Sequence, residues 1–165
     1  DPGVVVALLL NHVHLEPGQA LFLPAGNVHA YLSGLGVEIM ANSDNVLRGG
    51  LTNKHVDVPE LLRVLNFESG QVPHIAPVEL AHGLVEFKVP VDDFRLYRAS
   101  VSAGNLLAEI GLPAQAIVLC VAGEIDLSNS LGEHAVLRRG EAAYLSAEAR
   151  HFSITGSGDA FIALG

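Results

Sequence analysis

Short apolar runs, each ended within a few residues by glycine, proline, asparagine or aspartate, recur along most of the chain. This pattern is typical of many short strands in a β-sandwich or barrel. Half of the 165 residues are hydrophobic and 16% are charged, so a sizeable core is available. The predicted strands cover residues 5–15, 20–23, 37–41, the surroundings of 101, 117–121, 124–127, 142–145 and 160–163.

One segment departs from the β pattern. Asp57 is suited to cap a helix, Pro59 stands in the first turn, and leucines follow at helical spacing. We therefore predict a short helix over residues 58–66. Residues 67–90 hold three prolines and several turn-forming clusters, which predict an irregular crossing between two lobes.

The chain also contains an internal repeat, in which a histidine follows a turn glycine after eleven residues. The second copy keeps the glycine and the histidine but has lost the intervening proline and glycine. Two weakly similar β lobes in tandem are the economical explanation. The paired positions are Gly18 with Gly140, Pro24 with Ser146, Gly26 with Glu148, and His29 with His151.

Charge and composition argue against several functions. The net charge is −9 with nine lysines and arginines, which disfavours nucleic-acid binding because such binding relies on clustered basic residues. No apolar run reaches the roughly 18 residues of a membrane span, and no signal peptide opens the chain, so we expect no membrane partner and a cytoplasmic location. The single cysteine, Cys120, stands in an apolar run and is predicted to be a buried small hydrophobe.

The spacing Gly18, Pro24, Gly26, His29 resembles the second signature of the cupin fold. Pro24 and Gly26 would turn the chain at a barrel mouth, and the next strand would carry His29 inward. Residues 29–54 more specifically resemble the signature of type I mannose-6-phosphate isomerases, with Gly49 where alanine is usual and Asn53 where proline is usual. The matching residues are His29, Ala30, Tyr31, Gly34, Glu38, Met40, Ala41, Ser43, Asp44, Asn45, Arg48, Gly50, Thr52 and Lys54.

The resemblance implies a fold class: mainly β, with tandem cupin-like jelly rolls, the first incomplete, and one short connecting helix. It implies residues 1–57 as the C-terminal part of a catalytic cupin, 58–90 as helix and irregular crossing, and 91–165 as a degenerate second lobe. The chain would then be the C-terminal portion of a longer isomerase. An open sheet edge near its first residues would give a risk of self-association.

The resemblance further implies interconversion of mannose 6-phosphate and fructose 6-phosphate by zinc-assisted proton transfer between C1 and C2 through a cis-enediol. A small phosphosugar would be the partner. Whether the reaction serves mannose breakdown or nucleotide-sugar supply stays open. The implied residues are Arg48, Glu38 and Lys54 as catalytic, Tyr31 and Thr52 in the substrate pocket, and His29 as a zinc ligand.

Each of these side chains also has a structural interpretation. His29 could be a core histidine bonded to backbone, and Tyr31 could simply pack. A carboxylate at Glu38 inside an apolar strand would have a raised pKa if desolvated, whereas an ion pair with Arg48 would lower it. Arg48 could instead form a structural salt bridge to Asp44 or Glu38, with Asp44 shaping the turn before it.

The other histidines are expected to lie outside the site. In a strand, His12 and His14 would share the face opposite Val13 and Leu15 and would be exposed. His151 has no companion ligand at a suitable spacing and is interpreted as structural. The remaining histidines, expected at the surface, are residues 55, 74, 82 and 134.

The family's further zinc ligands, a Gln-x-His pair and a glutamate, are not found in residues 1–28 and are expected upstream. One histidine cannot hold catalytic zinc, so the isolated chain is expected to be weakly active or inactive. The alternative is a non-catalytic cupin module that binds sugar or regulates a partner.

Overall fold

The computed structural model describes residues 1–43, 45–103 and 106–165, without the side chains of residues 108 and 109. The chain is mainly β with antiparallel sheets, as predicted. It divides into two compact units. Unit 1 comprises Asp1–Gly36 and Ser43–Ile75, and unit 2 comprises Val37–Asn42 and Ala76–Gly165. The domain boundaries predicted at residues 57 and 90 stay predictions.

Unit 1 contains four short elements among its described residues. They are α1 (Gly3–Leu9), β1 (Ala20–Leu21), α2 (Val58–Val64) and β2 (His74–Ile75). The two strands pair antiparallel, Ala20 opposite Ile75. Most of the unit is therefore irregular chain held by local hydrogen bonds.

The strand predicted over residues 5–15 is wrong, because its first half forms α1. The Asp1 carboxylate accepts a hydrogen bond from the Gly3 amide at 2.7 Å. The amide of Val5 donates to the carbonyl of Pro2 at 3.0 Å. The backbone groups are thus satisfied locally, as in the first turn of a helix. The strand predicted over residues 37–41 is also wrong, since that stretch has no regular structure.

The predicted connecting helix is confirmed as α2, ending two residues earlier than expected. The Asp57 side chain accepts a hydrogen bond from the Glu60 amide at 3.1 Å, and Pro59 stands in the first turn. On the exposed surface Arg63 contacts Glu60 at 2.6 Å, and its hydrogen bond lowers the pKa of that carboxyl. The local capping signals therefore determined this element.

Unit 2 is built on an eight-stranded antiparallel sheet. The strands are β3 (Val78–Ala81), β4 (Leu84–Phe87), β5 (Arg95–Val101), β6 (Leu107–Gly111), β7 (Ala116–Asn129), β8 (His134–Arg138), β9 (Ala142–Leu145) and β10 (His151–Leu164). Six strands follow the order β3-β4-β5-β10-β7-β8, while β6 pairs with β10 and β9 pairs with β7. Residues 67–90, predicted as an irregular crossing, contain β2, β3 and β4.

The core of unit 2 follows the two-residue alternation of its long strands. In β7, Val118 and Cys120 are fully buried, while Ile117 beside them is 54% exposed. In β10, Ile154 and Ala160 are fully buried. The inward-facing side chains of β7 and β10 therefore form the hydrophobic core, which agrees with the apolar runs predicted as strands.

The internal repeat is visible in the hydrogen bonds of both copies. In the first, the Gln19 amide donates to the Glu16 carbonyl at 3.0 Å, and the Gln19 side chain accepts from the Glu16 amide at 2.8 Å. In the second, Glu141 and Arg138 make the same two bonds at 2.9 and 2.8 Å. The glycine between each pair has φ near 90°. The two turns are thus equivalent in geometry as well as in sequence.

No helix in the described part of the chain is long and apolar enough to span a bilayer.

Candidate functional site

The predicted site residues lie on irregular chain between β1 and α2, where the structure assigns no strand to the described residues. The expectation that a strand carries His29 inward is therefore wrong, and its side chain is exposed. Glu38 belongs to unit 2, whereas His29, Arg48 and Lys54 belong to unit 1. The roles predicted for these residues stay predictions.

His29 and Tyr31 are brought into contact. Their ring centroids are 5.9 Å apart in an edge-to-face arrangement, and Tyr31 is 74% exposed. The His29 Nδ1 atom lies 3.1 Å from the Asn27 carbonyl oxygen. Because a carbonyl oxygen can only accept, this hydrogen bond requires the proton on Nδ1, and the neutral ring then has its lone pair on Nε2. This is the form in which an imidazole binds a metal through Nε2.

The loop that carries Arg48 is fastened to the start of the chain. The Asp1 carboxylate accepts a hydrogen bond from the Leu51 amide at 2.8 Å while its other oxygen accepts from Gly3. A Cβ on Gly50 would lie 2.9 Å from the Gly3 Cα, so only glycine allows this approach. Arg48 itself is exposed. Its predicted partner Asp44 lies outside the described residues.

Thr52 and Lys54 lie two residues apart in a bend, where the Thr52 hydroxyl accepts a hydrogen bond from the Lys54 amide at 3.1 Å. Thr52 is half-buried and Lys54 is exposed. Within the described part of the chain, neither Arg48 nor Lys54 forms an ion pair. Two exposed cations of unit 1 can therefore turn to an anionic ligand.

Glu38 is exposed and lies in a stretch without regular structure. The expectation that it is desolvated within an apolar strand is therefore wrong. An exposed carboxylate remains within reach of a ligand from solvent.

The described residues contain no group of three His, Cys, Asp or Glu side chains that could hold a metal ion. His29 is thus a candidate single ligand. The prediction that the histidines at positions 12, 14, 55, 74, 82 and 134 lie at the surface is confirmed, although His12 and His14 follow α1 in irregular chain. His151, interpreted from the sequence as structural, is exposed as well. The exposed histidines are residues 12, 14, 55, 74, 82, 134 and 151.

Cys120 is fully buried, as predicted. Burial raises the pKa of its thiol, and the thiol donates weakly to the Ala122 carbonyl at 3.4 Å. A protonated, inaccessible thiol is a poor nucleophile. The residue therefore serves packing.

A cavity of about 510 Å³ lies within unit 2. Its described lining is largely apolar, with Tyr97 and His82 as the polar contributors, and it includes none of the predicted site residues. No pattern in the sequence indicated this cavity, because its walls come from strands that are distant along the chain.

Sequence reasoning missed the residues that hold the site in place. Asn27 acts through its backbone carbonyl, and Asp1 acts through hydrogen bonds to Gly3 and Leu51. The Asn27 carbonyl and the two amides that Asp1 binds are backbone groups, which leave no signature in the sequence. Only the turn residues around position 26 indicated that the chain bends there.

The chain is similar to known proteins over almost its whole length, although no protein-family model matches it. It is 40% identical over 159 residues to mannose-6-phosphate isomerase of Salmonella typhimurium and 38% identical to that of Escherichia coli. Each match covers 96% of this chain and 40% of the relative. Mannose-6-phosphate isomerase 2 of Arabidopsis thaliana is 33% identical. The chain thus spans about two-fifths of the length of these relatives.

Solved structures agree with the sequence matches. The Salmonella typhimurium enzyme bound to its substrate fructose 6-phosphate and to zinc has a TM-score of 0.65 and 35% identity, covering 76% of this chain and 32% of that one. Two alanine variants of the same enzyme, one of an arginine and one of a glutamate ten residues earlier, also give TM-scores of 0.65. They are 33% and 34% identical to this chain.

Proposed function

Since this chain is homologous, over 96% of its length, to the C-terminal part of mannose-6-phosphate isomerases, we propose that it forms that part of an aldose-ketose isomerase. The reaction interconverts mannose 6-phosphate and fructose 6-phosphate. The observation that carries the proposal is this continuous match, which includes the whole segment from His29 to Lys54. A relative solved with fructose 6-phosphate and zinc supports the substrate class and the metal.

Spacing supports the assignment of Glu38 and Arg48. In the relative, the glutamate and the arginine chosen for alanine substitution are ten residues apart. Glu38 and Arg48 are separated by the same ten residues. We assign Arg48 to stabilising the charge of the enediolate, since a guanidinium stays protonated and can bond two oxygens.

The proton transfer between C1 and C2 needs an acid and a base near the carbon atoms. Glu38 and Lys54 are the proposed acid-base groups. Tyr31 and Thr52 are proposed to bond the sugar hydroxyls, because each offers a hydroxyl on the same segment. The exposed positive charges of Arg48 and Lys54 favour an anionic substrate such as a sugar phosphate.

The zinc proposal is supported by the chemistry of His29. Its Nδ1–H is used by the Asn27 carbonyl, so Nε2 is the nitrogen that remains for a metal. Zinc, when bound, polarises the substrate carbonyl. Because a catalytic zinc takes about three protein ligands, the others are proposed to come from the longer protein.

The proposed location is the cytoplasm. Phosphosugars carry charge and do not cross lipid bilayers unaided, so they are processed where they are made. A metabolic role in mannose breakdown or in nucleotide-sugar supply is compatible with the same chemistry.

The test is a coupled isomerase assay on the longer protein that carries this chain, with Arg48→Ala as the variant. We expect kcat to fall about 100-fold or more, as for loss of one charge-stabilising group, with substrate binding less affected. Arg63→Ala is the matched control, because Arg63 is an exposed arginine on α2 already paired with Glu60. Wild-type kcat in Arg48→Ala would overturn the assignment, and binding of fructose 6-phosphate without turnover in the wild type would favour a sugar-binding module.

A further inference from the structure

The orientation of His29 depends on a carbonyl that belongs to a tight turn. The turn closes with a hydrogen bond from the Asn27 amide to the Pro24 carbonyl at 3.3 Å. The Asn27 carbonyl then accepts the Nδ1–H of His29 at 3.1 Å. Any rotation of this turn would therefore release the ring nitrogen that it holds.

The turn is pressed against the end of α2. The Asn66 amide, two residues beyond the helix, donates to the Gly26 carbonyl at 3.0 Å. A Cβ on Gly26 would lie 2.7 Å from the Val64 carbonyl oxygen and 3.3 Å from the Asn66 nitrogen. Gly26 also has φ of 79°. Two independent constraints, backbone angle and space, thus require glycine here.

The second copy of the repeat shows what the glycine is for. There the Ala149 amide donates to the Ser146 carbonyl at 3.0 Å, so the same closing hydrogen bond forms with Glu148 in place of glycine, but in a short 3-10 helix in which Glu148 does not have the positive φ of Gly26. The closing hydrogen bond by itself therefore does not need glycine. The residue is needed for the close approach to α2, a contact made at Gly26.

We propose that Gly26 is a positioning residue, through which the C-terminal end of α2 fixes the Nδ1–H tautomer of His29 and leaves Nε2 free for a metal. Metal-binding histidines commonly have their second nitrogen held by a carbonyl or carboxylate. The significance for catalysis rests on the proposed function. The tautomer itself can be measured in the 165-residue chain without metal or substrate.

The experiment is ring ¹⁵N NMR of the full chain at about pH 8, where imidazoles are neutral, with the His29 signals assigned by their loss in His29→Gln. Free imidazole in water favours the Nε2–H form. A protonated Nδ1 in the neutral ring therefore shows that the hydrogen bond to the Asn27 carbonyl holds His29 in the other tautomer. We expect Nδ1–H in the wild type and its loss in Gly26→Ala. Gly132→Ala is the control, because Gly132 has a matching φ of 80° with nothing within 4 Å, and it should keep Nδ1–H.

If Gly26→Ala does not fold, the Asn66 variants provide the test. Asn66→Pro removes the N–H that bonds Gly26 and should release the tautomer, whereas Asn66→Ala keeps that N–H and should retain it. An Nε2–H tautomer in the wild type would overturn the proposal, as would Nδ1–H in both Gly26→Ala and Asn66→Pro.

Zinc binding in the longer protein adds a second measurement. Gly26→Ala should weaken zinc affinity about 10- to 100-fold, as substitutions behind a metal ligand commonly do, and Gly132→Ala should not. Unchanged affinity would overturn the link to the metal. If the longer protein is not an isomerase, the tautomer measurement still decides whether α2 positions His29.

Discussion

Asp159 carries the most extensive side-chain network among the described residues of unit 2. The Arg98 guanidinium bonds its Oδ1 through Nε at 3.2 Å and Nη2 at 2.8 Å, and Ser100 donates to the same oxygen. Partial burial alone would raise the pKa of this carboxyl. The hydrogen bonds from Ser100 and Arg98 and the arginine's charge outweigh burial, so the pKa is lowered.

The lowered pKa predicts an acid-sensitive contribution to stability. Because the folded pKa lies below the unfolded value of about 3.9, the contribution is full above that value and is lost as the pH falls through the folded pKa. Asp159→Asn should cost about 1 kcal/mol near neutral pH, a modest figure because both side chains are about a third exposed.

Urea unfolding between about pH 7 and pH 2.5 checks this, since the Asn variant should show a flatter acid limb than the wild type. Asp93→Asn, at an exposed carboxylate, is the control and should follow the wild-type curve. Parallel curves for wild type and Asp159→Asn would show that the network does not lower the pKa.

At the scale of an element, local sequence signals predict where helix α2 begins but not what its end contacts. Its start is fixed by the Asp57 cap and Pro59, both visible in the sequence. Its end supplies the Asn66 amide to Gly26, which no local pattern indicated. A seven-residue helix is too short to be stable alone. Helix α2 is therefore stabilised both by the Asp57 cap at its start and by the contact of its end with the turn at Gly26.

Removing the cap should loosen the whole helix. Asp57→Ala should cost about 1 kcal/mol of local stability, because the Glu60 amide loses its acceptor. Hydrogen exchange of the Leu61 and Leu65 amides, which bond Asp57 and Leu61 carbonyls, should then quicken by about fivefold. Asp57→Asn keeps an acceptor and should exchange like the wild type. Equal exchange in all three proteins would exclude the cap as a stabilising feature.

The pairing of β7 with β10 is decided by glycines. A Cβ at Gly123 would clash with the Ser157 carbonyl oxygen, and one at Gly158 would clash with the Ala122 carbonyl oxygen. The register shifts just beyond this point, between Asp159 and Ala160. The sequence predicted two strands over 117–121 and 124–127, whereas the structure runs one strand through both.

At the scale of the whole molecule, the apolar residues form a single described core cluster in unit 2. Alternate residues of β5, β7 and β10 contribute their side chains to this cluster, and Ile154 is fully buried within it. Unit 1 has only Gly3 in the buried class among its described residues. Most of the hydrophobic stabilisation of the chain therefore comes from unit 2.

A substitution that creates a cavity in this core should lower the free energy of unfolding substantially. Ile154→Ala should lower the free energy of unfolding by about 3 kcal/mol, since it removes buried methyl groups and leaves a void. Ile117→Ala is matched in chemistry but lies at a half-exposed position of β7, and it should cost about 1 kcal/mol or less. Urea denaturation measures both, and similar losses for the two variants would contradict the placement of the core.

The sequence by itself determined the β class, the helix at α2, the repeat and the segment from His29 to Lys54, because each is written in local spacing and turn chemistry. Only the tertiary structure decided that residues 3–9 are helical, that residues 37–41 are not a strand and that His29 is exposed. An apolar run indicates that a segment is buried but not which other segment it packs against. A strand exists only where another part of the chain supplies its hydrogen bonds. Close approaches such as that of Gly26 to Val64 likewise arise only when folding brings distant residues together, and spacing along the chain does not encode them.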